Sequence, residues 1–212
     1  MLGLRKLFCA LAVAFLAGTA AFSDEDRFGG LVGAGLIVPI RTWNSSDWSD
    51  SMQENAVAFN INYYGITYGN LAAKAELSVG KPFLTDSDFS DYDTQLYMSG
   101  GGGLGYAFIN NERFMLAVMG NYKFGFSWYG YDKNGIDLDM FFLHNSFGVS
   151  LDAACRVAGG FAVYGGLDLA YSIGSAITSM YYNILGVRDS SYSSETINSF
   201  MFAPRIGLAF SW

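Results

Sequence analysis

From about residue 24 to the last residue, Trp212, apolar side chains return at every second position in run after run. A period of two places alternate side chains on opposite faces of an extended strand, whereas a helix would need a period near 3.6. Val57, Phe59, Ile61 and Tyr63 alternate in this way with Ala58, Asn60, Asn62 and Tyr64. Leu71, Ala73, Ala75, Leu77 and Val79 then stand opposite Ala72, Lys74, Glu76 and Ser78. Further runs cover 96–108, 114–128, 141–151, 161–173 and 200–212, and a Gly-rich run covers about 28–40. The pattern predicts an all-β chain of eight antiparallel strands.

The links between runs alternate in length. Those near Gly69, Asn110-Asn111 and Gly159 are short, while 41–55, 81–94, 129–139 and 174–198 read as long polar loops. Short turns at one end and long loops at the other suit an up-and-down barrel that crosses a membrane, and strands of about 11 residues are long enough to do so. Periodicity alone leaves open which face points outward. A soluble barrel would enclose the apolar face and expose the other. That other face consists mostly of Gly, Ala, Ser, Asn and Tyr with about one charge per strand, which is sparse for a solvated surface and suited to a crowded lumen. Aromatics bunch at both ends of the apolar face: Phe126, Trp128, Phe141, Phe200 and Phe202 toward the long loops, and Phe108, Phe114, Phe161, Phe210 and Trp212 toward the short turns. Two such girdles fit the two interfaces of a membrane. With 51% apolar, 17% aromatic and 15% charged residues the chain is not of the disordered class.

Residues 1–23 read as a signal peptide, with Arg5 and Lys6 before an apolar stretch and Ala21-Phe22-Ser23 as the cleavage site. The barrel is therefore expected over 24–212. Cleavage would remove Cys9 and leave Cys155 alone, which excludes a disulfide framework and a cysteine-based metal site. The formal net charge of −7 argues against a nucleic-acid partner. Asp47, Asp50 and Glu54 form one acidic cluster and Asp86, Asp88, Asp91 and Asp93 another, both expected in solvated loops. The segment 85–93 could offer oxygen ligands to Ca²⁺ but lacks the EF-hand spacing, so neither metal nor cofactor is expected.

By parity, Lys74, Glu76, Lys123, Asp152, Asp168 and Arg205 point into the lumen, with Arg113 and Arg156 near the short-turn rim. Charges of both signs in a narrow interior should pair, since an isolated buried charge is very costly. The expected outcome is an ion-pair network that fills the barrel; a narrow polar path is the alternative. Gly100 to Gly105 contains a G-x-G-x-x-G spacing, but no helix follows it, so it reads as a strand that lets bulky neighbours fill the lumen. His144 and Ser146 are similar in spacing to the His-x-Ser of lipid A deacylase barrels. Both face the lumen by parity, however, and Asp152, the nearest acid, stands six residues from Ser146. No enzymatic activity is expected.

The chain ends on Trp212, with Phe210, Leu208 and Ile206 at alternate positions. This ending resembles the C-terminal signal that outer-membrane barrels present to their insertion machinery. The architecture resembles that of the small eight-stranded outer-membrane proteins: the OmpA membrane domain, OmpX and OmpW, including the OmpW-like barrels of treponemes. The resemblance implies a monomeric barrel in the bacterial outer membrane with both termini periplasmic, and outer-membrane lipid and the insertion machinery as partners. It further implies a narrow channel for small or hydrophobic solutes. The alternative is a non-conducting surface protein whose long loops, especially 175–199, bind host or envelope partners. One departure is Pro204, where loss of a ladder hydrogen bond is expected to produce a bulge.

Overall fold

The computed structural model describes residues 27–46, 48, 51–85, 92–133, 135–184 and 187–212. The expected leader, the acids Asp47, Asp50, Asp86, Asp88 and Asp91, and most of the segment weighed for Ca²⁺ lie outside them. Among the described residues nine strands follow one another: β1 (Gly30–Ile37), β2 (Ile40–Ser45), β3 (Met52–Ile66), β4 (Leu71–Leu84), β5 (Thr94–Asn110), β6 (Phe114–Lys133), β7 (Ile136–Ala158), β8 (Phe161–Ile184) and β9 (Val187–Ser211). All pairings are antiparallel, and β1 and β2 both pair with β3 on one side and β9 on the other, closing the sheet into a ring. The registers of β1 and β2 run on without a shift, Ile37 opposite Arg205 and Ile40 opposite Phe202. They are two halves of one stave, so the barrel has eight.

The break in that stave comes from two prolines. Val38 N–H donates to Pro204 O at 3.0 Å and Ala56 N–H to Pro39 O at 2.9 Å. Neither proline has an N–H to return the bond, so both ladders beside residues 38–39 lose a rung. No bulge forms at Pro204: the β8–β9 register is continuous from Phe161 opposite Phe210 to Ile184 opposite Val187. The expected bulge is corrected because the missing N–H lies on the side facing the first stave, and that stave is interrupted in its place.

Two of the expected loops are corrected as well. The segments 129–139 and 174–198 are paired strand for nearly their whole length: β6 and β7 stay in register to Lys133 opposite Ile136, and β8 and β9 to Ile184 opposite Val187. Their Ser-, Tyr- and Asp-rich composition resembles a loop, but cross-strand pairing outweighs that propensity. Crossing a membrane takes about 9–11 residues per strand, so β6, β7, β8 and β9, with 20, 23, 24 and 25 residues, project well past the long-loop side. The short links at the other end are tight, with Asn70 at φ 62° and Gly159 at φ 53°, left-handed conformations that Asn and Gly tolerate.

Burial decides which face points outward. Phe59, Ile61, Leu104, Phe124, Phe147, Val149, Leu169, Phe200 and Leu208 are all exposed, whereas Asn60, Asn62, Lys74, Ser99, Lys123, Ser150, Asp152, Asp168 and Arg205 are all buried. The apolar face is the outer wall and the polar face is the lumen, the reverse of a soluble barrel. Aromatic pairs stand on this wall at both ends. Trp128 stacks on Phe141 at 5.9 Å toward the long side, and Phe161 meets Phe210 edge-on at 6.1 Å toward the short turns.

Candidate functional site

The six lumen charges come from five staves and meet in one cluster. Lys123 Nζ lies 2.5 Å from both Glu76 Oε1 and Asp168 Oδ2. Arg205 Nη1 lies 2.7 Å from Asp168 Oδ2 and 3.5 Å from Glu76 Oε2, and its Nη2 contacts Asp152 Oδ1. Lys74 Nζ has Asp152, Asp168 and Glu76 at 3.4, 3.7 and 3.9 Å. Ser150 Oγ–H donates to Asp152 Oδ2 at 2.8 Å. Three cations and three carboxylates thus form a neutral set, and every side chain in it is buried. Neutrality matters here, because a surplus charge in such an interior would carry an unreturned desolvation cost.

Glycines on the intervening strands make these meetings possible. The ladder runs Glu76–Gly101–Lys123 across β4, β5 and β6, and Asp152–Gly166–Arg205 across β7, β8 and β9. A Cβ on Gly101 would sit 2.7 Å from Lys123 Cα, and one on Gly166 would sit 2.9 Å from Arg205 Nε. Each glycine leaves the lumen face of its strand bare, so the flanking charges close over it.

Apolar layers lie on either side of the cluster. Toward the short turns, Phe28, Leu31, Tyr64, Ile66, Met115, Met119 and Tyr164 pack together. Toward the long side, Trp43, Tyr92, Tyr129, Leu138, Phe142 and Ile197 form a second layer. Beneath that layer Glu54 accepts from Trp43 Nε1–H and Tyr129 O–H, both at 2.8 Å, with Arg41 Nη1 at 3.6 Å. Arg41 also lies over the Trp43 and Tyr97 rings at 5.5 and 5.4 Å, a favourable place for a guanidinium. This second charged pair was not anticipated from the sequence, where Glu54 was expected in a solvated acidic loop. It is only 2% exposed. The signal that could have found it is parity: Arg41 and Trp43 continue the inward positions of β1 through Pro39.

His144 and Ser146 are both buried in the lumen. The His144 ring stands edge-on to Trp43 at 5.5 Å, and the Ser146 hydroxyl pairs with Ser172 at 2.7 Å. The structure does not bring them together as a nucleophile and base. At the C-terminus Ile206, Leu208 and Phe210 project from the outer wall. Trp212 pairs with the first stave through Gly29 N–H and Gly30 N–H, which donate to its carbonyl at 2.7 and 3.3 Å, and its ring lies 5.9 Å from Tyr63. Cys155 is a free thiol.

No protein-family model and no curated protein sequence matches this chain. Among solved structures, a major outer membrane protein from Thermus thermophilus aligns over 84% of this chain and 99% of its own, at 12% identity and a TM-score of 0.51. The fold is that of an outer-membrane β-barrel. Neisserial surface protein A (13% identity, 88% and 99% of the two chains, TM-score 0.49) and OprG of Pseudomonas aeruginosa (6% identity, 88% and 97%, TM-score 0.49) are also similar. The assignment rests on the Thermus protein and on the inverted faces. In this outer-membrane-type barrel the cluster of six charges lies across the lumen between the two apolar layers.

Proposed function

We propose that this chain is an outer-membrane protein with a lumen closed at rest, acting through the strands that rise from its long-loop side as a surface interaction protein. One observation carries the reading: the neutral cluster of Lys74, Glu76, Lys123, Asp152, Asp168 and Arg205, buried between two apolar layers, leaves the axis filled with side chains. Eight strands enclose room for side chains or one small ligand, and here side chains take it. The outer membrane is proposed as the location, with the short turns and both termini on the periplasmic side. The chain is taken to work as a monomer without enzymatic activity or a cofactor.

The projecting strands fit the surface role. On β9, from Thr196 toward its turn, the described residues pair only with β8, because β2 pairs only as far as Ser45 opposite Ile197. That ribbon carries exposed Tyr181 and Tyr192 among serines. Tyr supplies contact area at low entropic cost and Ser adaptable hydrogen bonds, a combination common in binding surfaces.

A second reading, a narrow OmpW-like channel for small or hydrophobic solutes, has one observation in its favour. Lys74 has three carboxylates within 4 Å, so pairs could exchange partners without stranding a charge. Planar-bilayer recording of the purified protein separates the two. A silent, folded barrel is expected; discrete openings in the wild type would replace the closed reading with the channel.

A further inference from the structure

On the outer wall at the short-turn end, an apolar trough of about 540 Å³ crosses β8, β9, β1 and β3, with Val32, Ala34, Ile61, Phe161, Val163 and Leu208 along it. At Val157 it meets a polar recess of about 250 Å³ made by Glu112, Arg113, Arg156 and the turn at 158–159. Val157 lines both. It stands at the register shift between Arg156 and Ala158, where β7 carries one residue more than β8, and it is 69% exposed. The irregularity therefore sets the charged recess beside the end of the trough.

The recess has unused binding capacity. The Arg156 guanidinium lies over the Phe28 ring at 4.6 Å, and its Nε–H donates to Ser211 Oγ at 3.0 Å. These contacts fix its plane and leave the Nη1 and Nη2 donors without a partner among the described residues. The side chains of Arg113 and Glu112 likewise have no partner among the described residues. An arginine fork suits the oxygens of a phosphate, whereas an apolar trough of this size suits a hydrocarbon chain.

We propose that trough and recess together hold one phospholipid, its phosphate between Arg113 and Arg156, an acyl chain along the trough, and a headgroup ammonium against Glu112. The trough alone would accept any chain and the arginines alone any small anion. Their junction at Val157, on the aromatic-bearing end of the outer wall, selects a molecule with both parts. The inference rests on the proposed membrane placement, with the short turns at one bilayer surface.

Native mass spectrometry of the detergent-purified, full-length protein tests it, with phosphatidylethanolamine, phosphatidylglycerol and diacylglycerol of identical chains as probes. One phosphatidylethanolamine is expected to stay bound per barrel, ahead of phosphatidylglycerol, with diacylglycerol lost and excess inorganic phosphate unable to displace the lipid. Arg113→Gln should lower retention roughly tenfold, the scale of hydrogen bonds to a charged group. Glu112→Gln should abolish the preference for the amine headgroup. Ala34→Trp, which fills the trough from outside, should also lower retention while leaving the lumen untouched. Equal retention by Arg113→Gln and wild type, diacylglycerol held as tightly as phospholipid, or displacement by inorganic phosphate would each overturn the site. Co-flotation with vesicles is read in parallel. A barrel that floats yet holds no lipid overturns the site alone, and one that fails to float overturns the membrane placement with it. Bilayer conductance by the wild type would overturn only the closed lumen.

Discussion

Arg205 faces three carboxylates at once, those of Glu76, Asp152 and Asp168. Truncating it leaves three buried acids to two lysines, and breaking a buried pair by removing one partner costs about 3–5 kcal/mol. Arg205→Ala is therefore expected to lower stability by that order in urea unfolding from lipid vesicles, whereas Asp189→Ala, on an exposed position, should change it little. Removing an acid as well restores neutrality, so Arg205→Ala with Asp168→Ala should cost less than the two single losses added. A strictly additive pair would contradict the cluster. The bare faces of the glycines give an independent check. Gly166→Ala places a Cβ between Asp152 and Arg205, and overpacking of this kind costs about 1–3 kcal/mol. Gly165→Ala on the same strand, where the nearest atom to a Cβ is 3.3 Å away, should be far milder. Equal effects at the two positions would show that the gap at Gly166 is not needed.

At the scale of elements, β9 makes a prediction that parity alone supplies. Its even-numbered residues direct their amides toward the first stave, as Trp212 N–H to Gly30 O shows, and its odd-numbered residues toward β8, as Ser211 N–H to Gly160 O shows. Where β2 stops, the even residues Tyr192, Ser194 and Thr196 face no strand among the described residues, while Ser191, Ser193 and Glu195 remain in the β8 ladder. Hydrogen exchange should therefore alternate along 191–196, fast at even and slow at odd positions. Ser190 is the even exception, since its N–H donates to Asp189 Oδ1 at 2.8 Å. Uniform protection would mean that the edge is covered. The same strand shows what could be read from the sequence. Its transmembrane half, 200–212, alternates apolar with small or charged residues and was legible. The half from Val187 to about Ser199 has polar residues on both faces, so no alternation marks it. Only pairing with β8, a long-range fact, makes it strand. Glu54 was lost for a related reason: it shares the inward parity of Ala56, Ala58 and Asn60 on β3, but it follows a Ser- and Asp-rich stretch that reads as loop. The six lumen charges were legible because each falls on the polar phase of a run whose other phase is clearly apolar.

At the scale of the whole molecule, the barrel is closed by two different means, and they separate experimentally. The apolar layers exclude water without regard to charge, while the central cluster depends on its own neutrality. Neutralising one ion pair in a balanced way, Glu76→Gln with Lys123→Gln, keeps the net charge at zero and removes the 2.5 Å contact between β4 and β6. If the cluster is the main barrier, this double variant should show small, discrete openings in a planar bilayer where the wild type shows none. If the aromatic layer around Trp43, Tyr129 and Phe142 is the main barrier, the variant stays silent, and openings should require Trp43→Ala as well. The closed reading expects the first result, because side chains from five of the eight staves converge at the charge level. The second layer is tied there mainly through Glu54, which joins β2, β3 and β6 by two hydrogen bonds and an ion pair. Openings in the wild type itself, with both means intact, would show that neither closes the axis and would move the weight to transport.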